Sequence, residues 1–261
     1  MLWHEQSWPK MAEVDKNLPV VVPLGSCEQH GRHLPLFVDS LQVEAVASRV
    51  EQQMGPRALL APTLWLGASH HHLDFPGTIS LRPTIYAQMI QEVTRCILKA
   101  GFRRIFFLNG HGGNETPGSQ ALVDLIATDD LADSAHLALA SWWKIAAEGL
   151  EPKRHAMTTA GVSHACEYET SLMLMLRPDL VDMDQVVEGE PVLDDRWYHP
   201  ENHSRVSVYR RFHRLSSAGS MGCPSAATAA KGESIIEAVV SEVVEFIDAF
   251  AGWPDLPVIK K

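Results

Sequence analysis

Residues 18–39 read LPVVVPLGSCEQHGRHLPLFVD, an apolar run followed directly by a cluster of polar side chains. The run from Leu18 to Leu24 has three valines at its centre. It predicts a buried β-strand, because β-branched side chains pack well on a pleated surface. Glu28, His30 and Asp39 follow where that strand ends. Ligands bind at the carboxyl ends of strands in open α/β sheets, so we expect a binding site here.

The same stretch predicts a metal site. Glu28 and His30 are two residues apart, so in extended chain their side chains leave the same face. Asp39 returns from the following loop to supply a second carboxylate. Carboxylates and imidazoles together are ligands that suit Zn, Mn or Fe.

Strands and helices alternate along the rest of the chain, which predicts an α/β fold with a mostly parallel central sheet and helices on both faces. The predicted strands are 18–24, 59–66, 104–108 and 136–143. The predicted helices are 40–54, 83–100, 116–129, 169–176 and 235–250. Residues 186–214 are rich in charge, proline and histidine, and we expect an irregular excursion there with a short hairpin near 205–212. No domain boundary is visible, so residues 1–261 are predicted to form a single domain.

Composition excludes some classes of partner. The chain has 261 residues, of which 46% are hydrophobic, and a net charge of −10. An acidic surface does not attract nucleic acid or an anionic membrane. No apolar stretch approaches the length of a membrane span, and the N-terminus does not resemble a signal peptide. Four cysteines without a CxxC pair predict reduced thiols and a cytoplasmic protein.

Two further motifs carry histidines. The sequence NGHGGN at 109–114 follows a predicted strand, and its glycines let the backbone approach a ligand near His111. A turn with an incidental histidine is an equal alternative. In SHACEYETS at 163–171, His164 and Glu167 are three residues apart and would share a helical face. Alternatively, Glu167 and Glu169 only favour the positive end of a helix dipole.

Taken together, Glu28, His30, Asp39 and His111 offer two carboxylates and two imidazoles from two strand ends. A bridging aspartate between two divalent ions is a usual arrangement for holding a hydrolytic water. The histidine triplet at 70–72 is either another metal ligand or a polar loop.

These motifs, in this order, resemble the creatininase (creatinine amidohydrolase) family over roughly residues 15–250. The resemblance rests on 25–35, Asp39, FPGT at 75–78, NGHGGN at 109–114, HACEYETS at 164–171, and the segments 219–224 and 230–233. It implies a three-layer α/β/α fold, hydrolysis of a C–N amide-type bond, and a homo-oligomer, commonly a hexamer.

The resemblance also implies roles for single residues. It places Glu28 and His111 on one divalent ion and His30 on the other, with Asp39 bridging the two ions. His164 matches the position proposed to move protons.

One position departs from creatininase itself, where a glutamate ligand stands two residues after the histidine of the second motif. Here that position is Gly113. We predict that Glu167 is the replacement carboxylate, and creatinine is therefore not assured as the substrate.

The predicted function is a metal-dependent amidohydrolase with two divalent ions (Zn, Mn or Fe) per chain. Its metal-bound hydroxide would hydrolyse the C–N bond of a small cyclic amide or formamide. His164, or less favourably Glu169, would pass the proton to the leaving nitrogen. The residues predicted to contact substrate are Gly112, Gly113, Tyr168 and His72.

Trp142 and Trp143 either line the site of a planar ligand or belong to the core.

Two alternatives to this function remain open. One is creatininase proper, which converts creatinine to creatine. The other is a non-catalytic homologue that binds a metal or ligand. A thiol enzyme using Cys27 or Cys166 is disfavoured, since both lie inside the metal motifs.

Overall fold

Four parallel strands form the central sheet of the computed structural model, which describes residues 1–188, 195–198 and 205–255. Their order in the sheet is β2-β1-β3-β4. In chain order, they are β1 (Val20–Leu24), β2 (Leu59–Leu60), β3 (Arg104–Asn109) and β4 (His136–Ser141). Leu24 pairs with Asn109, and Asn109 pairs with Ser141. The carboxyl ends of β1, β3 and β4 therefore lie along one edge of the sheet.

Both faces of the sheet are buried. Val21 of β1 and Phe106 of β3 pack into one hydrophobic core, whereas Val22 and Phe107 pack into the other. This division follows from the period of two along a strand. It explains why the strands are continuously apolar, as strands covered on both faces are.

Helices cover both faces and complete the predicted three-layer α/β/α fold. They are α1 (Trp8–Glu13), α2 (Val38–Met54), α3 (Pro83–Lys99), α4 (Glu115–Thr128), α5 (Asp130–Asp133), α6 (Trp142–Ile145), α7 (Glu167–Leu176) and α8 (Ala229–Ala251). Helices α2, α6, α7 and α8 contribute to the core around Phe106. Helices α3 and α4 contribute to the core around Phe107.

Some element boundaries differ from the prediction. The strand predicted at 59–66 has only two residues, although Leu64 forms an isolated bridge with Leu24. Pro62 lies in the gap and has no backbone N–H to donate to a neighbouring strand. The last helix was predicted from its apolar stripe to start at residue 235, but α8 begins at Ala229. It begins there because Thr228 caps the helix by accepting the N–H of Lys231.

The hairpin predicted near 205–212 is wrong, since residues 205–211 form no strand and a short 3-10 helix begins at Phe212. Of the predicted excursion at 186–214, residues 189–194 and 199–204 lie outside the described part. Among the described residues, no helix has the length and apolarity needed to cross a membrane.

Candidate metal centre

Five ionisable side chains meet at the carboxyl edge of the sheet. Glu28 and His30 come from the loop after β1, Asp39 from the first turn of α2, and His111 from the loop after β3. Glu169 comes from the first turn of α7. Each is at most 6% exposed. Buried ionisable groups are rare unless they are paired or bind a metal, so this cluster is the candidate functional site.

Asp39 lies at the centre of the cluster. Its Oδ1 is 3.0 Å from His30 Nε2, and its Oδ2 is 3.0 Å from His111 Nδ1. Each histidine also faces a second carboxylate: Glu28 Oε2 is 3.3 Å from His111 Nε2, and Glu169 Oε2 is 3.9 Å from His30 Nε2. We name two subsites that share Asp39. Subsite A is Glu28, Asp39 and His111, and subsite B is His30, Asp39 and Glu169.

The geometry of subsite B fits a single cation, because one donor atom from each of its three residues lies within 4.8 Å of the other two. Glu28 and His111 of subsite A satisfy the same criterion together with His71. A third such group joins Glu28, His30 and His164.

The charges in the cluster shift the pKa of several members. Burial opposes the charged form of His30, but the Asp39 and Glu169 carboxylates outweigh it and raise the pKa of His30 to about 10. The pKa of His111 is raised well above its ordinary value, since Glu28 and Asp39 likewise outweigh its burial. Burial, together with the Asp39 charge, raises the pKa of Glu169 to about 7.

A divalent cation would satisfy the polar atoms that this cluster leaves without partners. Glu28 Oε2 and Asp39 Oδ2 are buried, and although each faces a ring nitrogen of His111, neither contact has the geometry of a hydrogen bond. Leaving a buried carboxylate oxygen without a donor costs free energy, and metal coordination removes that cost. Carboxylate oxygens and imidazole nitrogens are ligands of Zn and Mn. The residues present therefore fit divalent metal ions.

The structure places Glu167 away from the cluster and corrects its prediction as a metal ligand. Its buried carboxylate accepts the N–H groups of Thr158 (2.8 Å) and Thr159 (2.7 Å), and it pairs with Lys231 Nζ. Residues two apart in an α-helix point about 200° apart around its axis. Only one of Glu167 and Glu169 can therefore face the cluster, and it is Glu169.

His164 lies before α7 and not on a helical face shared with Glu167, as the spacing had suggested. Its backbone is fixed by a left-handed turn at Ala165 (φ 49°) and by the N–H of Met221, which donates to the His164 carbonyl. His164 Nε2 donates to the Gln29 carbonyl at 2.8 Å, and Nδ1 is 3.6 Å from Glu28 Oε1. Burial lowers the pKa of His164, so its ring is neutral.

A cavity of about 420 Å³ opens on the cluster. Gly112 and Gly113 line it, where we predicted substrate contact. Polar side chains on its wall come from the cluster itself and from His71, His72, Ser163, His164 and Tyr198. The apolar part of the wall is formed by Trp143, Val162, Phe212, Leu215 and Met221.

Two aromatic residues that we considered as substrate contacts belong elsewhere. Tyr168 is buried in the core, and its hydroxyl donates to the Leu150 carbonyl, so the prediction that it contacts substrate is wrong. Trp142 lies in the same core, whereas Trp143 reaches the cavity. On α7, Tyr168 points about 100° away from Glu169, toward the packed interior.

His72 lines the cavity, but both of its ring nitrogens already have partners. Nδ1 is 2.9 Å from Gln29 Nε2, which is a donor, and Nε2 is 3.3 Å from Glu28 Oε1. With Nδ1 accepting, the proton is on Nε2 and points to Glu28. His72 therefore orients a candidate metal ligand, as outer hydrogen-bond partners commonly do in metal sites.

Gly113 cannot carry a side chain in this structure. A Cβ atom built on it would lie 2.5 Å from His111 Nε2 and closer still to the Ala68 carbonyl oxygen. A carboxylate at this position is therefore excluded by packing, and the carboxylate of subsite B comes from Glu169.

Sequence reasoning missed three residues near the cluster. Gln29 lies between two motif residues and contacts both His72 and His164. His71 stacks on His111 with ring centroids 5.7 Å apart, and the histidine triplet was its only signal. Phe212 packs on His72 from a segment in which we predicted only a short hairpin.

Comparisons with known proteins show the family of this chain and agree with its fold. The model of the Creatininase family, described as creatinine amidohydrolase, matches residues 4–247. A mycofactocin precursor peptide peptidase of Mycolicibacterium smegmatis is 33% identical over 85% of this chain and 81% of its own. A creatinine amidohydrolase of Pseudomonas putida is 29% identical over 87% of this chain and 88% of its own.

Solved structures show the same similarity. A mutant creatininase described as Zn-Zn type superimposes with a TM-score of 0.80 at 27% identity, covering 95% of this chain and 97% of its own. A structure described as creatininase Mn gives a TM-score of 0.80 at 26% identity, with the same coverage. The fold and the buried cluster define a creatininase-like hydrolase, and the chain belongs to the creatininase family.

Proposed function

We propose that this chain is an amidohydrolase that uses two divalent metal ions. The observation that carries the proposal is the position of Asp39, whose two carboxylate oxygens face two different histidines at 3.0 Å each. A carboxylate so placed can bridge two ions. The similarity to creatininases described as Zn-Zn and Mn forms supports Zn or Mn as the metal.

Subsite A would hold one ion through Glu28, His111 and Asp39, and subsite B would hold the other through His30, Glu169 and Asp39. When bound, such ions supply a Lewis acid for a carbonyl oxygen and lower the pKa of water toward about 7. The protein supplies the orientation of the ligands. His72 Nε2 lies 3.3 Å from Glu28 Oε1, and the backbone N–H of Ala165 donates to Glu169 Oε2 at 2.5 Å.

His164 is the proposed proton carrier. Its Nε2 is committed to the Gln29 carbonyl, so Nδ1 has the free lone pair. A neutral ring can accept a proton at Nδ1 from the attacking water and donate it to the leaving nitrogen. Its ring also lines the cavity beside the metal cluster, within reach of a bound substrate.

The proposed substrate is a small cyclic amide or a formamide. A cavity of about 420 Å³ has the size of a small-molecule site. Its apolar wall would exclude water from the bound amide. Gly112 is placed to present its backbone to the substrate, since nothing lies within 4 Å of a Cβ built there.

A second candidate is cleavage of an amide bond in a longer, peptide-like substrate. A groove of about 1250 Å³ adjoins the cavity, and the two share His71, Gly112, Gly113 and Leu215 on their walls. The groove is much larger than a small amide needs. The similarity to a peptide peptidase favours the same interpretation.

The metal proposal is tested with His111→Ala. Metal analysis of the wild-type protein should give about two ions per chain, and the variant should lose metal and hydrolytic activity together. Full occupancy by two ions in the variant would contradict the ligand assignment. A wild-type protein that holds two ions but hydrolyses no amide would support the non-catalytic alternative.

The substrate is tested with the Zn-loaded and Mn-loaded wild-type protein on creatinine, on formamides and on short peptides. Turnover of creatinine would identify creatininase proper. A much higher kcat/KM for peptides than for the small amides would replace the first candidate with the second.

A further inference from the structure

Residues 208–215, which we call the strap, separate the cavity from the groove. Phe212 lines the cavity, Val208, Tyr209 and Arg211 line the groove, and Leu215 lines both. The strap lies far along the chain from the metal motifs, and one of its rings contacts two of their histidines.

Phe212 is the residue of the strap that reaches inward. It is only 4% exposed. Its ring centroid lies 4.4 Å from that of His72 and 4.5 Å from that of His164. Phe212 therefore covers the histidine that orients Glu28 and the histidine proposed to carry the proton.

Asp74 fixes the strap on both sides of Phe212. Its Oδ1 accepts from Arg211 Nη1 at 3.0 Å, and its Oδ2 accepts from His213 Nδ1 at 2.7 Å. All three side chains are partly exposed, and exposed ion pairs contribute little to overall stability. A carboxylate that binds the two neighbours of one buried ring acts mainly on the placement of that ring.

The placement matters because the faces of the His164 ring are held by packing against other rings. Its Nε2 donates to the Gln29 carbonyl and also lies 2.9 Å from Gln29 Nε2, so the polar contacts of that nitrogen come from one residue. The terminal torsion angle of a histidine side chain has a broad intrinsic range. Contact with Phe212, His72 and His30 on its faces restricts that rotation. Of these three contacts, only Phe212 comes from outside the metal cluster and its supports.

We propose that Phe212 is a positioning residue that fixes the imidazole of His164, and that the ion pairs of Asp74 with Arg211 and His213 hold Phe212 in place. The effect on catalysis rests on the proposed function of His164, whereas the effect on the ring does not. The two parts can therefore be tested separately.

The structural part is tested by labelling the Zn-loaded protein with diethyl pyrocarbonate and measuring each histidine by mass spectrometry. In Asp74→Asn and in Phe212→Ala, labelling of His164 should be about 10-fold faster than in the wild type, because local opening exposes the ring. His4, which is exposed at the other end of the chain, is the internal reference and should not change.

The matched control is Asp179→Asn, which removes the carboxylate of an exposed pair with Arg177 far from the strap. It should label like the wild type. Equal labelling of His164 in the wild type, Asp74→Asn and Phe212→Ala would overturn the proposal. Because Asp74 is on the surface, its variant tests the proposal even if Phe212→Ala does not fold.

The catalytic part is tested with any amide that the wild-type protein hydrolyses. In Phe212→Ala, kcat should fall about 100-fold, as expected for a misplaced catalytic group. KM should change much less than kcat and metal content should stay near the wild-type value, whereas Phe212→Tyr, which keeps the ring, should recover most of kcat. Faster labelling with unchanged kcat would refute the role of His164 but not the positioning by the strap.

Discussion

Glu167 and Glu169 are two buried carboxylates in the first turn of the same helix, and the structure gives them opposite environments. Glu167 faces a cation, Lys231, and two backbone N–H groups. Glu169 accepts one backbone N–H and otherwise lies beside His30 and a second carboxylate, Asp39. Burial is shared by both residues, so burial does not identify the metal ligand. What differs is whether the chain itself neutralises the negative charge.

The consequences of this difference are local. Lys231 lies in the first turns of α8, so its ion pair with Glu167 joins α7 to α8. Glu169 pairs with no lysine or arginine in the described part of the chain, and the basic group that it faces is His30, whose Nε2 is 3.9 Å away. Burial and the neighbouring Asp39 raise its pKa to about 7, above the ordinary range of a carboxyl group. The first carboxylate is a structural link, and the second is the candidate metal ligand.

The largest effect is expected for Glu169→Gln. Removal of this charge should lower the metal content from about two ions per chain to about one. The rate of amide hydrolysis should fall about 1000-fold, since losing one ion of a pair removes several kcal/mol of transition-state stabilisation. Metal analysis and single-turnover rates measure the two effects. A variant that keeps both ions would show that Glu169 is not a ligand.

A smaller effect, and on a different property, is expected for Glu167→Gln. Breaking a buried ion pair leaves Lys231 without its partner and should lower the free energy of unfolding by about 3 kcal/mol. Urea denaturation measures this change. The metal content of the folded protein should stay at the wild-type level. Loss of metal without loss of stability would reverse our assignment of the two glutamates.

The double variant Glu167→Gln/Lys231→Met is the control for that interpretation. Removing the unpaired cation as well should recover about half of the lost stability, because the two substitutions are coupled through one contact. Simple addition of the two single effects would mean that the ion pair is not the source of the stability.

The smallest effect is expected for Gly113→Ala, which tests whether the position of the missing carboxylate is closed. The added Cβ would press on His111 Nε2 and should lower the affinity of subsite A for Zn about 10-fold, by displacing a ligand. Gly112→Ala is the matched control, since nothing lies within 4 Å of its Cβ, and its Zn affinity should not change. Equal affinities in the two variants would mean that the packing around Gly113 adapts without cost.

Much of the fold was predictable from local pattern. The valine run at 20–22 and the apolar run at 105–108 predicted parallel strands, because strands buried on both faces are continuously apolar. Motifs that follow two such strands must meet at one edge, which is why Glu28, His30, Asp39 and His111 could be grouped.

Assembly into a homo-oligomer stays a prediction, as does the single-domain organisation.

Other features depended on contacts between distant segments. Glu167 and Glu169 are equivalent in sequence, and spacing from His164 favoured the wrong one, because α7 begins only at Glu167. Lys231 and the loop at 158–159 decide between them, and both are remote in the chain. Phe212 had no sequence signal, since its partners His72 and His164 are brought to it by the fold.

The sequence by itself determined the kinds of side chain available and the strand ends to which they are attached, since periodicity and strand polarity act over a few residues. Only the tertiary structure decided which carboxylate is neutralised by a lysine and which is left for a metal ion. The physical reason is that the electrostatic energy of a buried charge depends on the partners that surround it in space, and these partners come from anywhere in the chain.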